Sequence, residues 1–178
     1  TSGMFLRSVY SSAVVSELEL RQFDDTDIHR AIARIPGVYV QEEDGLGLRP
    51  NIGVRGTGLS RMEKLNVMED GILIAPAPYA SPAAYYSPTM GRMQTLEVRK
   101  GSSQIKYGPF TTGGSLNYVS TGIPETMTSN IELTTGSFGK TVLHLKHGST
   151  EGQWGYLLQV FNDQTTGFKE LDGGGDTG

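Results

Sequence analysis

The sequence predicts an α+β region followed by a region of antiparallel β-strands. Three observations predict it: one segment near 25–34 carries apolar residues at helical spacing, five short β-like runs lie between 52 and 119, and three longer alternating segments follow residue 121. The chain has 178 residues, 24 of them Gly and 8 Pro. That share, about 18%, stands above the roughly 12% of an average protein, so turns and close backbone contacts are frequent. No window approaches a long uninterrupted apolar run, which excludes a transmembrane helix but not a transmembrane strand, whose signal is weaker. With no Cys, disulfides, thiolate metal sites and cysteine nucleophiles are all excluded.

Taken in order, Ala13-Val14-Val15 reads as a short strand and Glu17 to Gln22 as a helical turn. In the helix near 25–34, Asp25 or Thr26 caps the free amides and Ile28, Ile32 and Ile35 share a face. Pro36-Gly37 ends it. Val38–Val40 is the next strand, and Asp44-Gly45-Leu46-Gly47 turns the chain. The short runs are Ile52–Arg55, Leu65–Met68, Ile72–Ile74, Leu96–Val98 and Leu116–Val119. Between two of them, residues 75–82 hold three prolines and form a loop, since Pro neither donates to a ladder nor sits inside a helix. One helical turn is expected at Ala83-Ala84-Tyr85-Tyr86. Beyond Pro124 come Asn130–Thr135, Thr141–His147 and Gly155–Asn162, joined by Gly136-Ser137-Phe138-Gly139 and Glu151-Gly152 in the manner of hairpins. In the third, Tyr156, Leu158 and Val160 share one face and Leu157, Gln159 and Phe161 the other, so both sides read as largely apolar. Three strands leave open edges and little to bury, so this region is incomplete as it stands.

Charge is uneven along the chain. Residues 1–48 carry 4 basic and 8 acidic side chains, 49–106 carry 8 and 4, and 107–178 carry 3 and 7. A basic middle between acidic flanks suits either internal ion pairing or an anionic ligand. Enzymatic chemistry finds no support. His144 and His147 are three apart on a strand and so fall on opposite faces, unable to clasp one metal ion, and His29 reads as a structural or solvated histidine. Gly136-Ser137-Phe138-Gly139-Lys140-Thr141 ends like a phosphate-binding loop but lacks the earlier glycine and the following helix. No Gly-x-Ser-x-Gly elbow occurs, and Glu42-Glu43-Asp44 and Glu69-Asp70 lack a partner base or a calcium-loop spacing. Tyr79, Tyr85 and Tyr86 offer stacking surfaces, yet their loop holds no Lys or Arg, so no nucleic-acid partner is expected.

One ordered constellation is informative: Ile35-Pro36-Gly37-Val38, Arg49-Pro50-Asn51-Ile52-Gly53-Val54-Arg55-Gly56, Val67-Met68-Glu69-Asp70-Gly71-Ile72, Ala75-Pro76-Ala77-Pro78-Tyr79, Leu96-Glu97-Val98-Arg99-Lys100-Gly101, Tyr107-Gly108-Pro109 and Gly113-Gly114-Ser115-Leu116-Asn117-Tyr118-Val119-Ser120. In this order it resembles the plug domain of TonB-dependent outer-membrane receptors, in the branch of ferric citrate-type transporters. Gly167-Phe168-Lys169-Glu170-Leu171-Asp172 is similar to the opening of the barrel in that branch.

The resemblance implies an α+β plug domain, a small mixed β-sheet with short helices, over residues 13–121. Before it lies an N-terminal segment, 1–12, and after it the first antiparallel strands of a transmembrane β-barrel, 122–178. A 22-stranded barrel needs more than roughly 220 residues in strands alone, so the chain is expected to be a fragment of a receptor. The implied function is uptake of a ferric chelate, iron-citrate or siderophore-like, across the outer membrane. TonB supplies the energy through a box not identifiable in residues 1–12, and the plug gates the lumen. The chelate is substrate; no cofactor, catalytic residue or resident metal is implied, and outer-membrane lipid contacts the full barrel. Thr57, Ser60, Arg61 and Tyr79 match ligand-facing positions, although Leu59 stands where a citrate binder would carry a polar residue. Arg55, Glu97 and Lys100 match positions that bridge plug to barrel wall, with an ion pair inside the plug as the bland alternative. Gly53, Gly56, Gly101, Gly108, Gly113 and Gly114 are expected to serve turns and close approaches. The competing reading is a freestanding periplasmic β-rich binding or signalling module without transport.

Overall fold

The computed structural model describes residues 12–23, 27–43, 47, 49–62, 64–75, 86–101 and 113–167. The chain forms two compact units, Thr1–Thr121 and Gly122–Gly178.

The first unit is built on a five-stranded mixed sheet. Its strands are β1 (Ser12–Val15), β4 (Leu65–Glu69), β5 (Ile72–Ala75), β6 (Met93–Arg99) and β7 (Gly114–Ser120), with β2 (Val38–Val40) and β3 (Ile52–Val54) forming a separate antiparallel pair. The order is β1-β6-β7-β4-β5, and every pair is antiparallel except β4 with β7. Helix α1 (Glu17–Phe23) starts at a reciprocal cap: the Ser16 amide and hydroxyl donate to Glu19 at 2.9 Å, and the Glu19 amide donates to Ser16 Oγ at 3.3 Å. Helix α2 (Ile28–Ile32) is shorter than the sequence predicts, and its cap is Asp27 rather than Asp25 or Thr26. The Asp27 carboxylate accepts from the His29 amide at 2.8 Å, which satisfies one of the free amides that open a helix. Gly37, at φ 78°, ends the segment as its Pro-Gly pair predicts.

Ile28, Ala31 and Ile32 of α2 pack into one core with Leu65, Val67, Leu96, Val98, Leu116 and Tyr118 from alternate positions of the sheet. Each Ile, Leu and Val side chain buried there contributes about 1.5–3 kcal/mol. Asp70-Gly71 closes the β4–β5 hairpin with φ values of 50° and 80°, both left-handed, as a tight twisted turn requires. The strand expected over Ile52–Arg55 stops at Val54, because Arg55 and Gly56 take φ 53° and 79° and turn the chain. Strands β6 and β7 run longer than their apolar cores, since Thr95, Arg99 and Ser120 extend the ladders with polar side chains, the register skipping Gln94 at a bulge. Of the proline-rich loop expected over 75–82 and the helical turn expected over Ala83-Ala84-Tyr85-Tyr86, only the ends are described, Ala75 closing β5 and Tyr86 lying outside any helix, while residues 76–85, Tyr79 among them, lie outside the described residues.

The second unit is an antiparallel sheet of β8 (Thr128–Thr135), β9 (Thr141–Glu151) and β10 (Trp154–Gln164), in the order β10-β9-β8. Its strands outrun the sequence reading, and a two-residue Gly152-Gln153 turn joins β9 to β10. The register sorts the side chains. Ile131, Leu133, Leu143, Leu145, Leu158 and Val160 share one face, joined toward one end by Tyr156 and Trp154. Asn130, Glu132, Lys146, Gln159 and Asp163 share the other with Leu157 and Phe161. Thus one face carries an apolar cluster interrupted by Ser129, His147 and Asn162, and the other is largely polar apart from Leu157, Phe161 and the buried Val142, where the third strand alone looked apolar on both. The apolar face is open, with Ile131 74% and Leu158 63% exposed. His144 and His147 do fall on opposite faces, because β9 pairs in unbroken register across both.

Candidate functional site

The chain between β3 and β4 carries three of the residues expected to face a ligand, and its shape follows from local hydrogen bonds. After the Arg55-Gly56 turn, the Thr57 amide donates to the Val54 carbonyl at 3.2 Å. The Thr57 hydroxyl donates to that same carbonyl at 2.9 Å and accepts from the Val54 amide at 3.1 Å. Thr57 therefore closes the turn with both sides of its hydroxyl. Gly53 permits the loop to lie on β3: a Cβ there would stand 2.7 Å from the Thr57 carbonyl oxygen and 3.1 Å from that of Gly58. Ser60 is exposed and opens a 3₁₀ turn, Ser60–Met62, in which Arg61 and Met62 hold φ values of 48° and 55°. Two successive side-chain-bearing residues in the left-handed region are sterically costly and persist only where the surroundings hold them. Here Met62 is buried in the core and Arg61 is tied at both ends.

Arg61 is tied by residues that the sequence reading did not assign to the site. Its amide donates to Asn51 Oδ1 at 2.9 Å, and its guanidinium donates to Glu43 Oε1 at 2.8 Å and also pairs with Oε2. Asn51 Nδ2 donates to the same carboxylate at 3.1 Å and to the Gln41 carbonyl at 3.4 Å. Hydrogen bonds from Arg61, then Asn51, together with the charges of Arg61 and Arg49, hold the Glu43 carboxyl below its ordinary range.

The network continues inward. The Asn51 amide donates to His29 Nε2 at 3.2 Å, so His29 carries its hydrogen on Nδ1, which donates to Asp27 Oδ1 at 3.0 Å. His29 is 1% exposed and Asp27 6%. Burial works to raise the Asp27 carboxyl, but the hydrogen bonds from His29 and the nearby cationic charge outweigh it and leave the group low. His29 is thus a structural histidine that joins α2 to the start of β3. Asp27-x-His29 and the Asn51 of Arg49-Pro50-Asn51 were visible as residue types, but nothing local says that they meet.

The residues expected to bridge plug and barrel divide into two places. Arg55 is exposed, and its amide donates to the Gly37 carbonyl at 2.9 Å. Lys100 Nζ donates to the Pro36 carbonyl at 2.7 Å, and burial, then the charge of Arg55, pulls its ammonium down from the usual range. These two cations therefore gather at Pro36-Gly37. Glu97 lies on β6 beside Asn117, which donates to it at 3.4 Å, and pairs with Arg99 at 3.5 Å.

A profile of the TonB-dependent Receptor Plug Domain matches residues 6–115, more than half of the chain. Among solved structures, the ferric citrate transporter FecA in its unliganded form is similar at 27% identity and TM-score 0.72, over 87% of this chain and 25% of that one. The ferric-catecholate import receptor Fiu of E. coli K12, in its open form, matches at 22% identity and TM-score 0.67, over 88% of this chain and 21% of that one. The siderophore receptor PirA of Acinetobacter baumannii matches at 18% identity and TM-score 0.65, over 87% and 24%. The chain spans about a quarter of the length of FecA. The mixed sheet with its short helices, the antiparallel strands that follow, and the profile match together place this chain in the family of TonB-dependent receptors.

Proposed function

We propose that the chain is the plug and the opening barrel strands of an outer-membrane receptor that takes up a ferric chelate with energy delivered by TonB. One observation carries this reading: a plug-type α+β unit is followed in the same chain by a sheet whose apolar face is open. Ile131, Leu133, Leu158 and Val160 stand between 45% and 74% exposed on that face. A water-soluble sheet would bury such a face, whereas a barrel strand turns it to lipid and keeps the polar face for the lumen. The polar side here, with Asn130, Glu132, Lys146 and Gln159, fits the lumen role.

In this reading Ser60 and Arg61, with Tyr79 and the turn closed by Thr57, face the chelate. Arg61 supplies a guanidinium suited to carboxylate or other anionic oxygens, on a loop whose backbone is already ordered. Arg55, Lys100 and Glu97 supply polar contacts between plug and barrel wall, which separate at less cost than an apolar interface would when the plug moves. The test is growth of iron-limited cells whose only receptor is the full-length protein, supplied with a panel of ferric chelates. Rescue by at least one chelate, lost when TonB is deleted, is the expected result. Failure of every chelate, with no chelate bound by the purified receptor, refutes the reading.

A further inference from the structure

The Arg61 guanidinium, which the proposed function assigns to an anionic ligand, is already occupied. Its partner Glu43 is the outer member of the pair: the Glu43 side chain is 42% exposed and that of Arg61 20%. Arg61 is further anchored through its own amide on Asn51, at 2.9 Å. Of the two, the carboxylate can swing into solvent while the guanidinium stays. We propose that Glu43 is a displaceable internal counter-ion, standing where the carboxylate or other anionic oxygens of the ligand bind, so that the site admits anions able to exchange with it.

The chemistry favours exchange. Glu43 is the solvent-side member, where water and salt screen its charge, so an incoming polyanion can compete for the guanidinium from the open side without entering the core. A bidentate carboxylate matches the planar guanidinium as well as Glu43 does. Asn51 donates to Glu43 at 3.1 Å and therefore keeps a donor beside the vacated position, next to Arg61. Glu43 also excludes: a neutral ligand gains nothing by displacing it, and discrimination arises from the group that must leave as well as from the cation that remains.

This inference rests on the functional reading of Arg61, but its test does not depend on transport. In the full-length receptor, the rate of Arg61 modification by phenylglyoxal is measured by mass spectrometry of the peptide that contains it. Glu43→Gln is nearly isosteric and lies at an exposed position, so folding is preserved. The variant is expected to react about two- to fivefold faster, as release of a surface ion pair predicts. Iron-free citrate is expected to protect Arg61, at lower concentration in the variant than in the parent, and glycerol to give no protection. Equal rates in parent and variant, no protection by citrate, or equal protection by glycerol would each overturn the proposal. The growth assay reads the transport reading separately, so either can fail without the other.

Discussion

Replacing Gly53 by alanine isolates the contact that seats the loop between β3 and β4 on β3. The added Cβ stands 2.7 Å from the Thr57 carbonyl oxygen, 3.0 Å from Leu59 Cδ2 and 3.1 Å from the Gly58 carbonyl oxygen. The first is about 0.7 Å short of ordinary contact, and the offending atom is backbone, so the loop must shift rather than a side chain rotate. Overpacking of this kind costs about 1–3 kcal/mol, partly offset by the 0.4–1 kcal/mol that Gly→Ala gains through the unfolded chain. A net loss of about 1–2 kcal/mol corresponds to roughly tenfold faster local opening. Gly56 supplies the contrast, because at φ 79° a Cβ there meets nothing within 4 Å. Its restriction is backbone conformation alone, which Asn tolerates. Amide hydrogen exchange of Thr57 and Met62 in the full-length receptor should therefore accelerate about tenfold in Gly53→Ala and in Gly53→Asn, and change little in Gly56→Asn. If Gly56→Asn opens the loop more than Gly53→Ala does, strain rather than close approach controls it, and the reasoning fails.

Two further outcomes follow from the same physics. Burial pushes the Tyr118 phenol upward from its ordinary value of 10.0, against the Ser87 hydroxyl 3.2 Å away, which favours the ionised form. The folded plug thus holds that proton more tightly than the unfolded chain. The stability it confers is complete below about pH 10 and is lost as pH rises above it. The urea midpoint for unfolding of the plug, read by protease susceptibility, should fall from about pH 10 upward in the parent; in Tyr118→Phe this part of the decline should be absent. On the second unit, Leu158→Lys places a charge on the apolar face and costs up to about 2–4 kcal/mol in a bilayer, while Gln159→Lys on the polar face stays within about 1 kcal/mol. Urea unfolding of the receptor in phospholipid vesicles separates them, and equal losses would mean that the apolar face does not meet lipid.

Much of the architecture was legible because it is written in short-range patterns. The Ile28–Ile32 spacing announced α2, Pro36-Gly37 its end, and Asp70-Gly71 the tight turn between β4 and β5. Alternation located β8, β9 and β10, though not their full length, since the strands continue through Ser, Thr and Gln wherever a neighbour supplies hydrogen-bond partners. The cap of α2 was misplaced by one or two residues. Thr26 and Asp25 are both residue types that cap helices in isolation; Asp27 holds the position with its carboxylate also bound to the buried His29 ring.

By itself the order of residues determined the types of element, the change of character near residue 121, and the motifs that point to a receptor plug. These depend on φ/ψ preference and on the two side-chain periodicities, which are properties of neighbours in the chain. Only the tertiary structure decided that β7 runs parallel to β4 with β6 on its other side, that one face of the second sheet is apolar, and that Glu43, eighteen residues before Arg61 in sequence, occupies its guanidinium. Such pairings are chosen by competition among distant partners for the same hydrogen bonds and the same buried surface, and no local stretch contains both competitors.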